Sequence, residues 1–293
     1  MSFSRDVKNE ICRAKPAKSC DALAECYGIL LYCNTFSSSE ARIITENEKL
    51  AERVTALFGE CFGVEFDDTR LPESGKRSLI ITDKRKLETV FGAFGLAPED
   101  TVSHHINLGV LEEDCCRTAF LRGVFLAGGS VTDPVKSYHL ELVTPHFNVW
   151  RETVTLLREM DFSPKQVSRG GNYIVYFKQS AAIEDFLTLV GASGCAMELM
   201  SAKIEKDMRN SVNRRVNCDT ANVSKTVDAA AAHLDAIARL DMETLPEKLR
   251  ETARLRLENP ELSLTELAEL FDPPVTKSGL NHRFRKLAEL ARD

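Results

Sequence analysis

The sequence predicts an α+β fold. A duplicated αββαββα unit forms a saddle-shaped domain, and an all-α domain of the helix-turn-helix type follows it. Three observations carry this expectation. Landmarks in residues 20–95 recur in residues 112–190 at an offset of about 95–100 residues. Both stretches alternate helix-period and strand-period apolar patterns in the same order. Residues 241–293 carry capped helical segments and prolines but no strand pattern.

In the first copy, a helix is predicted from Asp21 to Cys33, strands near Phe36 and over Ala41–Thr45, and a helix over Glu48–Phe62. Strands at Val64–Asp67 and Ser78–Thr82 follow, joined by a loop with Pro72 and Gly75, and a helix from Lys84 to Phe94 closes the copy. In the second copy, the helix Asp114–Ala127 places Cys116, Ala119, Phe120, Gly123, Val124 and Ala127 at helical spacing, and Gly128-Gly129 stops it. A strand near Ser130, a strand over Tyr138–Thr144 and a helix over Asn148–Met160 come next. The hairpin Lys165–Ser168 and Tyr173–Lys178 turns at Arg169-Gly170-Gly171-Asn172, and a helix over Ala181–Val190 ends the copy. Gly28 answers Gly123, Thr45 answers Thr144, and Val54-Thr55 answers Val154-Thr155. Small residues at i, i+4 (Ala24/Gly28 and Ala119/Gly123/Ala127) would let the two first helices pack closely at a pseudo-twofold axis.

Beyond residue 202 the chain changes character. Residues 203–225 hold six Lys/Arg against three acids, interleaved with Asn210, Asn213, Asn217 and Asn222. Guanidiniums and amides together suit phosphate and base-edge contacts, with Arg209, Asn213, Arg214 and Arg215 the candidates; a hydrogen-bonded interdomain linker is the alternative. An alanine-rich helix is expected over Thr226–Leu240. Pro246-Glu247 opens another helix, which Asn259-Pro260 closes. Ser263-Leu-Thr-Glu266 is a capping box for a short helix ending near Phe271. Asp272-Pro273-Pro274-Val275 forces a turn, and Thr276 caps a last helix over 277–290. Leu280, Phe284, Leu287 and Leu290 form its apolar stripe, opposite Ser278, Asn281, His282 and Arg285. Those four are the expected base readers, with Lys277, Arg283 and Lys286 on phosphates; an ordinary solvated helix face is the alternative. The expected domains are residues 1–111, 112–202, a connector and helix over 203–240, and 241–293.

The 293 residues suit about two domains. At 43% hydrophobic and 28% charged, the chain is neither disordered nor fibrous. Its longest strongly apolar run, Cys26 to Cys33, falls far short of the roughly 20 residues that span a bilayer. The start, Met-Ser-Phe-Ser-Arg-Asp, lacks a signal-peptide core. Nine cysteines without a C-x-x-C pair read as buried small hydrophobes in a reducing cytoplasm. Neither they nor His104-His105 show metal-ligand spacing, so no metal or other cofactor is expected. The net charge of −6 divides unevenly: −6 over residues 1–202, +3 over 203–225, −6 over 226–275, +4 over 276–292 and −1 at Asp293. The acidic average therefore hides two basic stretches and is no argument against nucleic acid.

Two resemblances sharpen the reading. Leu121-Arg-Gly-Val-Phe-Leu-Ala-Gly-Gly-Ser130 is similar to the LAGLIDADG helix of homing endonucleases, and Cys26-Tyr-Gly-Ile-Leu-Leu-Tyr-Cys-Asn34 to a weaker twin. In that family an acidic residue before the final Gly binds the divalent metal. The matching positions here are Gly128 and Cys33, so the resemblance implies a scaffold without nuclease activity, and no enzyme. The stretch from Asp207 to Asp228 and the stretch Pro273-Pro-Val-Thr-Lys-Ser-Gly-Leu-Asn-His-Arg283 resemble the WhiA family, and the likeness extends over nearly the whole chain. The resemblance implies a DNA-binding transcriptional regulator of cell division and chromosome segregation, and of sporulation in relatives that sporulate. It implies promoter DNA as partner, work with a sigma factor, no membrane association, and a cytoplasmic, nucleoid-associated location. An interaction scaffold without promoter sites and an active homing endonuclease are the rival readings.

Overall fold

A computed structural model describes residues 2–70, 75–98 and 103–292. It divides into two compact units, Met1–Lys206 and Asp207–Asp293. Pro72, expected in the loop of the first copy, lies outside the described residues.

The first unit is a duplicated αββαββα domain behind one extra helix, α1 (Phe3–Ile11). The first copy runs α2 (Ser19–Tyr32), β1 (Thr35–Phe36), β2 (Ala41–Thr45), α3 (Glu48–Phe62), β3 (Asp68–Arg70), β4 (Arg77–Ile81) and α4 (Lys84–Ala93). The second runs α5 (Asp114–Gly128), β5 (Gly129–Val131), β6 (Leu140–Thr144), α6 (Phe147–Glu159), β7 (Lys165–Arg169), β8 (Asn172–Phe177) and α7 (Ser180–Leu189). Their antiparallel sheets have the same strand order, β1-β2-β4-β3 and β5-β6-β8-β7. Equal topology at a constant sequence offset is what a duplicated unit produces.

One predicted strand is displaced. The first copy's third strand was expected at Val64–Asp67 and forms at Asp68–Arg70, where Asp68 opposes Ile80. Val64 is instead buried in the core after the left-handed Gly63 that ends α3. Asp67 explains the boundary: its carboxylate accepts from the backbone N–H groups of Thr82 and Asp83 at 2.7 and 2.8 Å. Helix α1 had no counterpart in the sequence reading. Its apolar residues Phe3, Val7 and Ile11 recur every four positions and are all buried, and Ser2 caps it by accepting from the Arg5 N–H.

The two copies meet through α2 and α5. A Cβ at Gly28 would overlap the Phe120 carbonyl oxygen, and one at Gly123 would overlap the Glu25 carbonyl oxygen. Only backbones without side chains can cross this closely. The contact buries Glu25 completely, so its charge needs partners. Arg53 of α3 donates to it from Nε at 2.5 Å and Nη2 at 2.8 Å, and Arg122 of α5 lies 3.5 Å away. Tyr32 of the first copy donates to Thr153 Oγ1 of the second at 2.9 Å.

The basic connector is helical: residues 203–225 and the alanine-rich segment after them belong to one 46-residue helix, α8 (Ser193–Ala238). No Gly or Pro occurs between Gly194 and Pro246, so nothing in the chain interrupts it. Glu10 fixes its start by accepting from the N–H groups of Gly194 and Cys195 at 2.7 and 2.9 Å. Burial opposes ionisation of that carboxyl, but these hydrogen bonds outweigh it and hold Glu10 below the usual carboxylate range.

The second unit holds the C-terminal part of α8, then α9 (Glu247–Glu258), α10 (Leu264–Glu269) and α11 (Lys277–Leu290). Its core joins Ile237, Leu245, Leu249, Ala253, Leu267, Phe271, Leu280, Phe284 and Leu287. Among the described residues no helix is long and apolar enough to cross a membrane.

The helix crossing gives the first test. Gly123→Ala forces two backbones apart, so the unfolding free energy of the full chain in urea should fall by about 1–3 kcal/mol or more. Gly59→Ala, where a Cβ meets nothing within 4 Å, should leave it unchanged or raise it slightly.

Candidate nucleic-acid interface

Three helices build the candidate site, and each boundary has a local cause. Ser263 accepts from the Glu266 N–H at 3.3 Å while the Glu266 carboxylate accepts from the Ser263 N–H at 2.9 Å, which starts α10. Thr276 caps α11 by accepting from the Gly279 N–H at 3.1 Å. A Cβ at Gly279 would sit 3.2 Å from that Thr276 oxygen, so the glycine relieves the cap. Between α10 and α11 the chain returns through a bond from the Val275 N–H to the Ala268 carbonyl at 3.1 Å.

The turn between α9 and α10 hangs on Arg256. Although almost fully buried, it donates from Nη1 to the carbonyls of Asn259, Pro260 and Leu262 at 3.3, 3.4 and 2.6 Å. Its guanidinium also lies 5.5 Å from the centre of the Phe284 ring. His233 stacks flat on that same ring, with centroids 3.9 Å apart. Burial, and then the charge of Arg256, lower the His233 imidazole to about 4. Nothing in the sequence around Arg256 marks it as a core residue. Only the return of three carbonyls to one point does.

With Leu280, Phe284 and Leu287 seated in the core, α11 turns its opposite arc outward, while Leu290, expected in the same stripe, is exposed at the helix end. Lys277, Ser278, Asn281, His282, Arg285 and Lys286 are all exposed there. At 100° per residue they span about half the helix circumference, with Arg285 and Ser278 at its centre and Asn281 and His282 to either side. Glu289 shares the arc one turn after Arg285 and is the one acid there. Arg283 has a different setting. It is half-buried, its guanidinium lies 5.1 Å from the Phe271 ring centre, and it reaches Thr252 Oγ1 at 3.4 Å. It faces the body of the unit at the edge of the outward arc.

The connector residues fall on α8. Every residue from Asp207 to Lys225 is exposed, including Arg209, Asn213, Arg214 and Arg215. Helical spacing puts Arg209 and Asn213 on one face, while Arg214 and Arg215 point away from them and from each other, so the four do not converge. Lys225 does meet the site: with Lys277, His233, Arg256 and Ser263 it lines a cavity of about 160 Å³. The charge count of the connector included Lys225, but its spacing gave no reason to prefer it.

The two positions that match the nuclease metal ligands sit at the C-terminal ends of α5 and α2. A Cβ at Gly128 would lie 2.5 Å from the Val143 carbonyl oxygen and 2.7 Å from a Tyr32 ring carbon. Cys33 is buried, directs its thiol at the carbonyls of Leu30 and Thr35, both at 3.1 Å, and is pushed up to about 12 by burial. There is no room for a carboxylate at the first and no ionised ligand at the second.

Comparison with known proteins agrees with this architecture. Residues 212–291 match the family model of the WhiA C-terminal HTH domain, and residues 117–209 that of the WhiA LAGLIDADG-like domain. The chain is similar to the probable cell division protein WhiA of Ruminiclostridium cellulolyticum, 36% identical over 304 residues, covering 99% of this chain and 97% of that one. It is also 36% identical over 311 residues to the protein of the same name from Clostridium novyi, covering 100% and 98%. Among solved structures, full-length WhiA from Thermatoga maritima is similar in fold, with a TM-score of 0.62 at 22% identity, covering 100% of this chain and 98% of that one.

The half-buried imidazole of His233 sets a pH dependence. Unfolded, His233 titrates near 6.5, and folded it titrates near 4. Acid therefore favours the unfolded state: the stability carried by the neutral ring is complete above pH 6.5 and is lost as pH falls toward 4. Unfolding midpoints measured across this window should drop less in His233→Phe, which keeps the ring stack without the titrating group, than in the parent chain.

Proposed function

The chain belongs to the WhiA family, and from that premise we propose that it is a sequence-specific DNA-binding regulator acting in cell division and chromosome segregation. One observation carries the reading. Helix α11 presents six polar or basic side chains on a single outward arc, held by a core that uses only its other face. Residues 276–292 carry a net +4 inside an acidic protein. A helix so placed can enter the major groove. There Asn281 can pair with adenine and Arg285 with guanine, Ser278 and His282 can touch neighbouring edges, and Lys277 and Lys286 can hold phosphates. Lys225 beside Lys277 extends the phosphate contacts, and Arg283 keeps the helix seated as well as lying near the backbone. Arg209, Asn213, Arg214 and Arg215, on different faces of α8, add charge attraction more readily than base reading.

The domain division that fits this role is a duplicated LAGLIDADG-like body, a basic helical connector and a helix-turn-helix reader. The occluded Gly128 and the buried Cys33 thiol support a body that does not cut DNA. The names of the relatives support the link to cell division, and the regulator reading takes promoter DNA as its partner. A role in sporulation with a sigma factor belongs to the same reading in an organism that sporulates.

Three measurements test the reading. In gel-shift titrations Arg285→Ala should lose about 1–3 kcal/mol for the specific site and relax preference at one base pair. Lys286→Ala should weaken all duplexes alike and flatten the salt dependence. Chromatin precipitation across the genome should return a recurring short sequence. Peaks without any shared sequence would point to an interaction scaffold instead. Supercoiled plasmid incubated with Mg²⁺ should stay uncut, and reproducible site-specific cuts would restore the nuclease reading.

A further inference from the structure

The first turns of α2 and α5 come together at the end of the helix pair opposite Cys33 and Gly128. Cys20 and Asp21 stand in one, Cys115 and Cys116 in the other. Their four ligand atoms all lie within 4.8 Å of one another. We propose that Cys20, Asp21, Cys115 and Cys116 form a zinc site that clasps the two copies together.

The geometry suits tetrahedral coordination. Zinc–sulfur bonds of about 2.3 Å place tetrahedral donors about 3.8 Å apart, so the observed cluster closes with side-chain shifts of about an ångström. Asp21 is prepared for it. Its side chain is buried, and Oδ2 accepts from the Lys18 N–H at 3.2 Å while Oδ1 lies 3.8 Å from the Cys20 sulfur. One carboxylate oxygen is thus held by the backbone and the other is turned to the thiols. Three sulfurs and one oxygen are a soft donor set, which selects zinc over magnesium or calcium.

Charge is also arranged for a metal. Three thiolates and a carboxylate around Zn²⁺ leave a charge of −2. All four donors stand in the first turns of their helices, where the helix dipoles favour negative charge. The Lys18 ammonium lies 3.8 Å from the Cys115 sulfur and 3.4 Å from Glu113. Zinc would bind the deprotonated thiols and release their protons on uptake.

The duplication explains why the donors meet. Cys20 and Cys115, Asp21 and Cys116, and Gly28 and Gly123 are each 95 residues apart. Equivalent positions face each other across the pseudo-twofold axis, so two donors per copy become four at the crossing. Spacing along the chain could not show this, because each pair alone resembles no metal motif.

The test uses the full-length chain, reduced and stripped with chelator, then titrated with Zn²⁺ and separately with Co²⁺. The parent should bind one ion per chain, and its cobalt form should show the charge-transfer and d–d absorption of a tetrahedral thiolate site. Cys20→Ser and Cys115→Ser, both at half-buried positions, should weaken binding by more than about 100-fold, beyond the loss typical of outer-shell changes. Cys218→Ser, at an exposed position, should bind as the parent does. The proposal is overturned if the reduced parent takes up no stoichiometric ion. It is equally overturned if Cys20→Ser and Cys115→Ser keep parental affinity and absorption, or if these thiols only form a disulfide with no metal uptake after reduction.

Discussion

The backbone contact between α2 and α5 is the constraint on which the first unit depends. Gly28 and Gly123 each face a carbonyl of the other helix, and no side chain fits between them. The close approach makes the two helices a shared spine, almost wholly buried, with one sheet supplied by each copy. It also creates a cost, because Glu25 is sealed inside. Arg53 and Arg122 offset that cost from two different elements, one in each copy. Removing one partner of such a buried set typically costs about 3–5 kcal/mol, since a charge is left without compensation. The two ends of the spine then differ. At the C-terminal ends Tyr32 and Val143 crowd Gly128. At the N-terminal ends three thiols and a carboxylate converge.

The second unit solves a different problem with a small core. Its helices are short, and their loops bring several backbone carbonyls to one place. Arg256 satisfies three of these from inside the core, and a guanidinium has the donors and the planarity to do so while lying near an aromatic face. Phe284, packed near Arg256 and against His233, belongs to α11. The residues that anchor the turn therefore also fix the rotation of the helix that carries the outward arc.

Much of this was legible in the sequence. The last helix follows from its cap and its stripe and forms over the predicted residues. The duplication follows from its repeated landmarks, and helix α3 forms over the predicted span. Local rules sufficed there because caps, glycine turns and apolar periods act within a few residues. They failed where a distant residue sets the boundary. Asp67 binding the turn at Thr82 displaced β3, and Glu10 capping Gly194 and Cys195 starts α8 across a span no window covers. The single length of α8 was missed, because the change in composition suggested a basic connector over 203–225 and a separate helix over Thr226–Leu240. The outward residues of α11 share an exposed face, as the helical projection expects, while the seating of Arg283 on Phe271 was not visible in that projection.

The sequence by itself determined most elements and their order, the repeat and the hidden division of charge, because these depend on neighbours along the chain. Tertiary structure alone decided which of them meet. It buried Glu25 between two arginines, turned Arg256 inward, drew Lys225 beside Lys277, and assembled Cys20, Asp21, Cys115 and Cys116 from two copies. The reason is geometric. A pattern of period 3.6 or 2 records which side of its own element a residue occupies. It holds no information about what another element, nearly a hundred residues away, will place against that side.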